Sequence, residues 1–70
     1  MRGGPVVRLF VLAKDGRGLR MIGVHFDIDA AADEVRRFEQ AGWTTTTVAG
    51  FDLSDVMQSH PAWFEIKGDS

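Results

Sequence analysis

His25, Asp27 and Asp29 alternate along one stretch, so an extended chain would point all three the same way. An imidazole and two carboxylates can hold a divalent metal or act as acid and base. No further ligand follows at a recognisable spacing, and Asp29 is better used as a helix cap. His60 stands before Pro61, where it reads as a cap of a short helix or as a neighbour of Trp63. Neither Ser54 nor Ser59 has the flanking pattern of a nucleophile elbow. Asp15–Gly18, DGRG, could present amides to a phosphate, but it lacks the long glycine loop and following helix of a nucleotide site. A tight hairpin turn explains it better. No catalytic residue, no metal site and no cofactor are therefore expected, and the chain reads as a non-enzyme.

What remains is recognition. The net charge is −2, but residues 1–24 carry five basic residues against one acid, and residues 25–70 carry three against nine. Such polarity can mark a partner surface, or simply place opposite charges side by side in the folded domain. The basic set Arg8, Lys14, Arg17 and Arg20, with Phe10 on the Arg8 side, offers the ingredients of a nucleic-acid surface. The acidic whole and the lack of tyrosine weigh against it.

The elements that must position these residues follow from period and propensity. Val6–Lys14, VVRLFVLAK, is a strand; Asp15–Gly18 is a turn with Gly16 and Gly18 at positive φ; Leu19–Ile28 is the returning strand. Asp29–Trp43, DAAADEVRRFEQAGW, is the helix around which the domain is organised. Ala31 or Ala32, Val35, Phe38 and Ala41 or Gly42 form its apolar stripe. Asp29 is its expected cap, Gly42 its left-handed stop, and Trp43 folds back on Phe38. Trp43–Ala49 is a third strand, since four consecutive threonines suit a pleated sheet. Asp52 opens a short helix that ends before Pro61. Ala62, Phe64 and Ile66 then alternate as in a fourth strand, with a helical turn begun by Pro61 as the competing reading.

The expected fold is thus α+β: a small, mostly antiparallel sheet of three or four strands in ββαβ order, with the Asp29–Ala41 helix on one face. Residues 1–70 form one domain, with flexible ends at 1–4 and 68–70. The expected core is Val7, Leu9, Val11, Ile22, Val24, Phe26, Val35, Phe38, Trp43 and Val48. No cysteine is present, so packing or another subunit must supply any extra stability. No apolar run approaches a membrane span and no signal peptide is apparent, so the expected compartment is the cytoplasm.

One helix covers one side of a sheet. Phe10, Leu12, Leu19 and Met21 are left on the other side. A patch of that size marks contact. Three covers are open: the C-terminal segment with Trp63 and Phe64, a second copy of the chain, or a different protein. The sequence therefore reads as a protein-binding module. Arg8, Phe10, Leu12, Arg20, Met21, Trp63 and Phe64 are its expected contact residues, because aromatics and Arg carry most binding energy. A homodimer is the second option, and nucleic-acid binding through the basic hairpin the alternative function. The profile, short, cysteine-free, mildly acidic and motif-poor, is similar in type to small phage or mobile-element inhibitors, anti-CRISPR proteins among them. That similarity rests on size and composition, and implies a protein that occludes a surface on a host complex.

Overall fold

Arg8–Lys14 is the most apolar strand of the chain, and it becomes the centre of the sheet. A computed structural model describes residues 6–65. It orders the elements β1 (Arg8–Lys14), β2 (Leu19–His25), α1 (Ile28–Gln40), β3 (Thr44–Gly50), α2 (Leu53–Ser59) and a 3-10 turn at Pro61–Phe64. The sheet order is β2-β1-β3, antiparallel throughout. The fold is α+β, as expected.

Helix α1 starts earlier than expected. Asp27, in extended conformation, is its N-cap, and its carboxylate accepts from the amides of Asp29 and Ala30, each at 3.3 Å. Asp29 instead lies in the first turn, where the helix dipole favours an acid. The reason is that β2 ends at His25 rather than Ile28, which leaves Asp27 free to turn the chain. The far end matches expectation. Gly42 takes φ +89°, its amide bonds to Glu39 O at 2.9 Å, and the Trp43 amide reaches back to Phe38 O at 3.1 Å. This is a Schellman ending, and its apolar contact is the Phe38–Trp43 ring pair, 5.7 Å between centroids.

The hairpin turn carries the main correction. Asp15 Oδ1 accepts from the amides of Arg17 (2.7 Å) and Gly18 (3.2 Å), and Gly18 alone of the turn glycines takes positive φ, at +146°. Lys14 pairs with Leu19 but Ala13 pairs with Met21, so Arg20 is the extra residue of a bulge. A one-residue shift reverses which face every later side chain occupies. Ile22 and Val24 therefore stand opposite Leu12 and Phe10, on the face away from α1, while Met21, Gly23 and His25 lie on the α1 face. The unbulged register had put Ile22 and Val24 under α1 and Met21 opposite it.

Two half-cores result. Under α1, Val11, Ala13, Ala31 and Phe38 are buried, flanked by Leu9, Val35 and Trp43. On the other face Phe10, Leu12, Val48 and Val56 are buried, flanked by Leu19, Ile22, Trp63 and Phe64. The second face is thus covered by the chain's own C-terminal segment. Asp52 caps α2 by accepting from the Asp55 amide at 2.9 Å. Its one buried residue, Val56, points onto the sheet beside Gly50, where a side chain would meet Val56 Cγ2 at 3.3 Å. The expected fourth strand is absent at Ala62–Phe64, because Pro61 opens a 3-10 turn there. Ile66 and Lys67, and the expected flexible ends, lie outside the described residues. Of the expected core, Val7, Val24 and Phe26 are exposed.

Candidate functional site

The structure separates the seven expected contact residues. Phe10 and Leu12 are 3% and 0% exposed, so they cannot meet a partner in this fold. Their burial under Val56, Trp63 and Phe64 corrects the expectation that they form a binding face. Trp63 and Phe64 are half-buried in the same cluster, and Lys14 Nζ lies 4.3 Å from the Trp63 ring centroid. Arg20 and Met21 are accessible near the hairpin end of β2, and Arg8 lies at the opposite end of the sheet.

Around Arg8 stands an apolar group that the sequence reading placed in the core or left unassigned. Register sets the start of β1 beside the His25 end of β2 and the Gly50 end of β3. Phe26 and Phe51 continue those two strands, and Ile28 opens α1 directly after. Phe26 is 69% and Ile28 63% exposed, and Val6, Val7, Val24 and Phe51 are each about half exposed. Arg8 donates to the Phe51 carbonyl, and its guanidinium lies 5.8 Å from the Phe26 ring centroid. A cation is thereby held beside the Phe26 ring. Only the correct β2 register reveals this group, and the bulge that sets it has no sequence signal of its own.

His25 and Glu34 meet where α1 crosses β2. Nε2 of His25 lies 2.5 Å from Glu34 Oε1, both side chains are less than one-fifth exposed, and Arg37 Nη2 is 4.0 Å from Glu34 Oε2. The carboxylate occupies the space over Gly23, where an added Cβ would fall 1.6 Å from Glu34 Oε1. A side chain at position 23 would have to displace that carboxylate. The pair fastens the helix to the strand. Glu34→Ala is expected to cost about 1–2 kcal/mol in the native chain. It should cost almost nothing in a Gly23→Ala background, where the carboxylate is already displaced. A double-mutant cycle by urea denaturation measures the difference.

The remaining candidates do not converge. Asp27 caps α1 and Asp29 lies in its first turn, so the His25–Asp27–Asp29 alternation is broken by the helix. No group of three or more potential metal ligands occurs among the described residues. Ser59 Oγ and His60 Nδ1 are 2.8 Å apart on an exposed surface, and Ser59 also donates to Val56 O. Two depressions of about 190 Å³ each flank the hairpin turn, one lined by Arg17–Arg20 and the other including Lys14, Asp15, Ala62 and Glu65. Arg20 Nε is bonded to Asp15 Oδ2 at 2.6 Å. The Asp15 carboxyl is held below the ordinary carboxylate range by the Arg17 amide first and the Arg20 guanidinium second.

No helix among the described residues is long and apolar enough to cross a membrane. No protein-family model matches the sequence, and neither the curated proteins nor the solved structures give a match.

Proposed function

We propose that this chain is a non-enzymatic protein-binding module and that it binds through the apolar end around Arg8. The observation that carries the reading is the exposure of Phe26 and Ile28, at 69% and 63%, beside Val24 and Phe51. Large apolar side chains lower the free energy when a partner removes them from water. An Arg beside an exposed aromatic ring is a pairing that hot spots favour. Among the described residues, none covers Phe26 or Ile28. Occlusion of a site on a larger complex is the specific form of binding included in this proposal. The basic hairpin supports nucleic-acid binding less well, because Lys14 and Arg20 are engaged within the chain by Trp63 and Asp15.

The test is affinity capture from the native cells with the wild-type chain and with Phe26→Asp/Ile28→Asp. Both side chains are exposed, and an acid at Ile28 suits the first turn of α1, so the fold should survive, as circular dichroism will show. The wild type should retain one dominant protein. The variant should bind it at least about 30-fold more weakly, a loss of about 2 kcal/mol. Equal retention by the two chains overturns the reading.

A further inference from the structure

Two segments leave the sheet at the Arg8 end, and they read alike. Phe26-Asp27-Ile28-Asp29 follows β2, and Phe51-Asp52-Leu53 follows β3, with Asp55 close behind. Each segment begins with an exposed phenylalanine and continues through an aspartate that caps a helix. An exposed aliphatic side chain then opens that helix. Arg8 ties the two segments together, because it donates to the Phe51 carbonyl and lies against the Phe26 ring. Apolar and acidic residues therefore alternate at single-residue steps of about 4 Å. That is well inside the ~8 Å over which charges act at physiological salt.

The charges at this end do not cancel. Asp27 accepts from the amides of Asp29 and Ala30, Asp52 from that of Asp55, and Asp55 from that of Phe51. Such bonds orient a carboxylate and favour its charged form, so they leave the charge in place. Asp15, Asp33 and Glu34 each lie within 4.0 Å of an arginine, and among the described residues Asp27, Asp29, Asp52 and Asp55 do not. His25 is engaged by Glu34. Arg8 is thus the one described cation here against four exposed aspartates. Each helix start adds about half a positive charge. Even with Arg2 counted, which lies outside the described residues, the carboxylates stay in excess. A phosphate-bearing occupant, nucleic acid or an anionic lipid surface, is repelled by that excess. A wholly apolar occupant would strip water from carboxylates and give them no partner. Lysine or arginine interleaved with apolar side chains would cover Phe26 and Ile28 and supply the missing countercharge. We infer that the Arg8 end receives a cationic, amphipathic segment of a partner protein.

This inference rests on the protein-binding reading and specifies the chemistry of the partner. Fluorescence anisotropy of the purified chain tests it with a labelled peptide of about 14 residues, leucine and lysine in amphipathic helical spacing. The control peptide has glutamate at every lysine position. The lysine peptide should bind at least about tenfold more tightly, and its affinity should fall with added salt. Asp27→Asn/Asp29→Asn/Asp52→Asn/Asp55→Asn removes the charge and keeps an acceptor at each position, since asparagine caps a helix about as well as aspartate. It should weaken the lysine peptide at least about tenfold with circular dichroism unchanged. Phe26→Ser/Ile28→Ser should do the same by removing the apolar part. Glu39→Gln/Glu65→Gln, near the end of α1 and beside the hairpin turn, should change binding by less than about twofold. Equal affinity for the two peptides overturns the inference, as does a four-asparagine chain that binds like the wild type. So does a chain that without peptide doubles its 7.7 kDa mass in sedimentation and loses that dimer in the four-asparagine variant, because a second copy then fills this end. Affinity capture separates the two claims. A partner lost by Phe26→Asp/Ile28→Asp but kept undiminished by the four-asparagine chain sinks the inference alone, and equal retention by Phe26→Asp/Ile28→Asp sinks the protein-binding reading.

Discussion

Leu12→Ala should lower the stability of this chain by about 3 kcal/mol and its melting temperature by about 15 °C. Leu12 is fully buried and is the largest side chain so placed. It lies on the face opposite α1, among Phe10, Val48 and Val56, with Trp63 and Phe64 closing over the group. Removing its branched end leaves a cavity between a rigid sheet and a short tail. A domain of this size has a total stability on the order of 3–10 kcal/mol, so the loss is a large part of the whole. If the second face were open to solvent, truncating Leu12 would cost little. Urea denaturation followed by tryptophan fluorescence gives the value.

Phe38→Ala should cost about 3–4 kcal/mol, from the other side of the sheet. Phe38 is buried against Val11, Ala13 and Ala31 and supplies one ring of the pair with Trp43. The same contact completes the Schellman ending of α1, so its loss also loosens the turn into β3. The two half-cores share no side chain. Mild versions of the changes, Leu12→Val and Phe38→Leu, should therefore add to within about 0.5 kcal/mol when combined. A clear coupling between them would mean that the sheet transmits strain from one layer to the other.

Much of the fold is legible in the residues. The Gly42 stop, the Phe38–Trp43 contact, the threonine strand and the Asp52 cap are local devices, and local devices are written locally. The face assignments of β2 are not. They depend on one extra residue at Arg20, which moves Ile22 and Val24 behind the sheet and Met21 to the helix side. Arg20 has no property that marks it as a bulge; the Asp15 carboxylate that binds it and the turn amides can be seen only in three dimensions. The same shift hid the candidate site. With Val24 and Phe26 counted as core, the apolar surplus was assigned to Phe10 and Leu12, which the tail in fact covers. Arg8 was expected beside Phe10 and Leu12, and its neighbours are the Phe26 ring and the Phe51 carbonyl. The tail itself was ambiguous because Pro61 permits both an extended start and a helical turn, and packing of Trp63 and Phe64 onto the sheet decides between them.

The central claim is that the chain covers its own second face and leaves the Arg8 end exposed. Methyl spectra recorded with a soluble paramagnetic agent test this directly, since broadening reports how closely solvent approaches each group. At dilute concentration the signals of Leu12, Val11 and Val56 should keep their widths while those of Ile28, Val6 and Met57 broaden strongly. Leu12 and Val56 broadening as much as Ile28 would contradict the account, because the tail would then not cover the sheet.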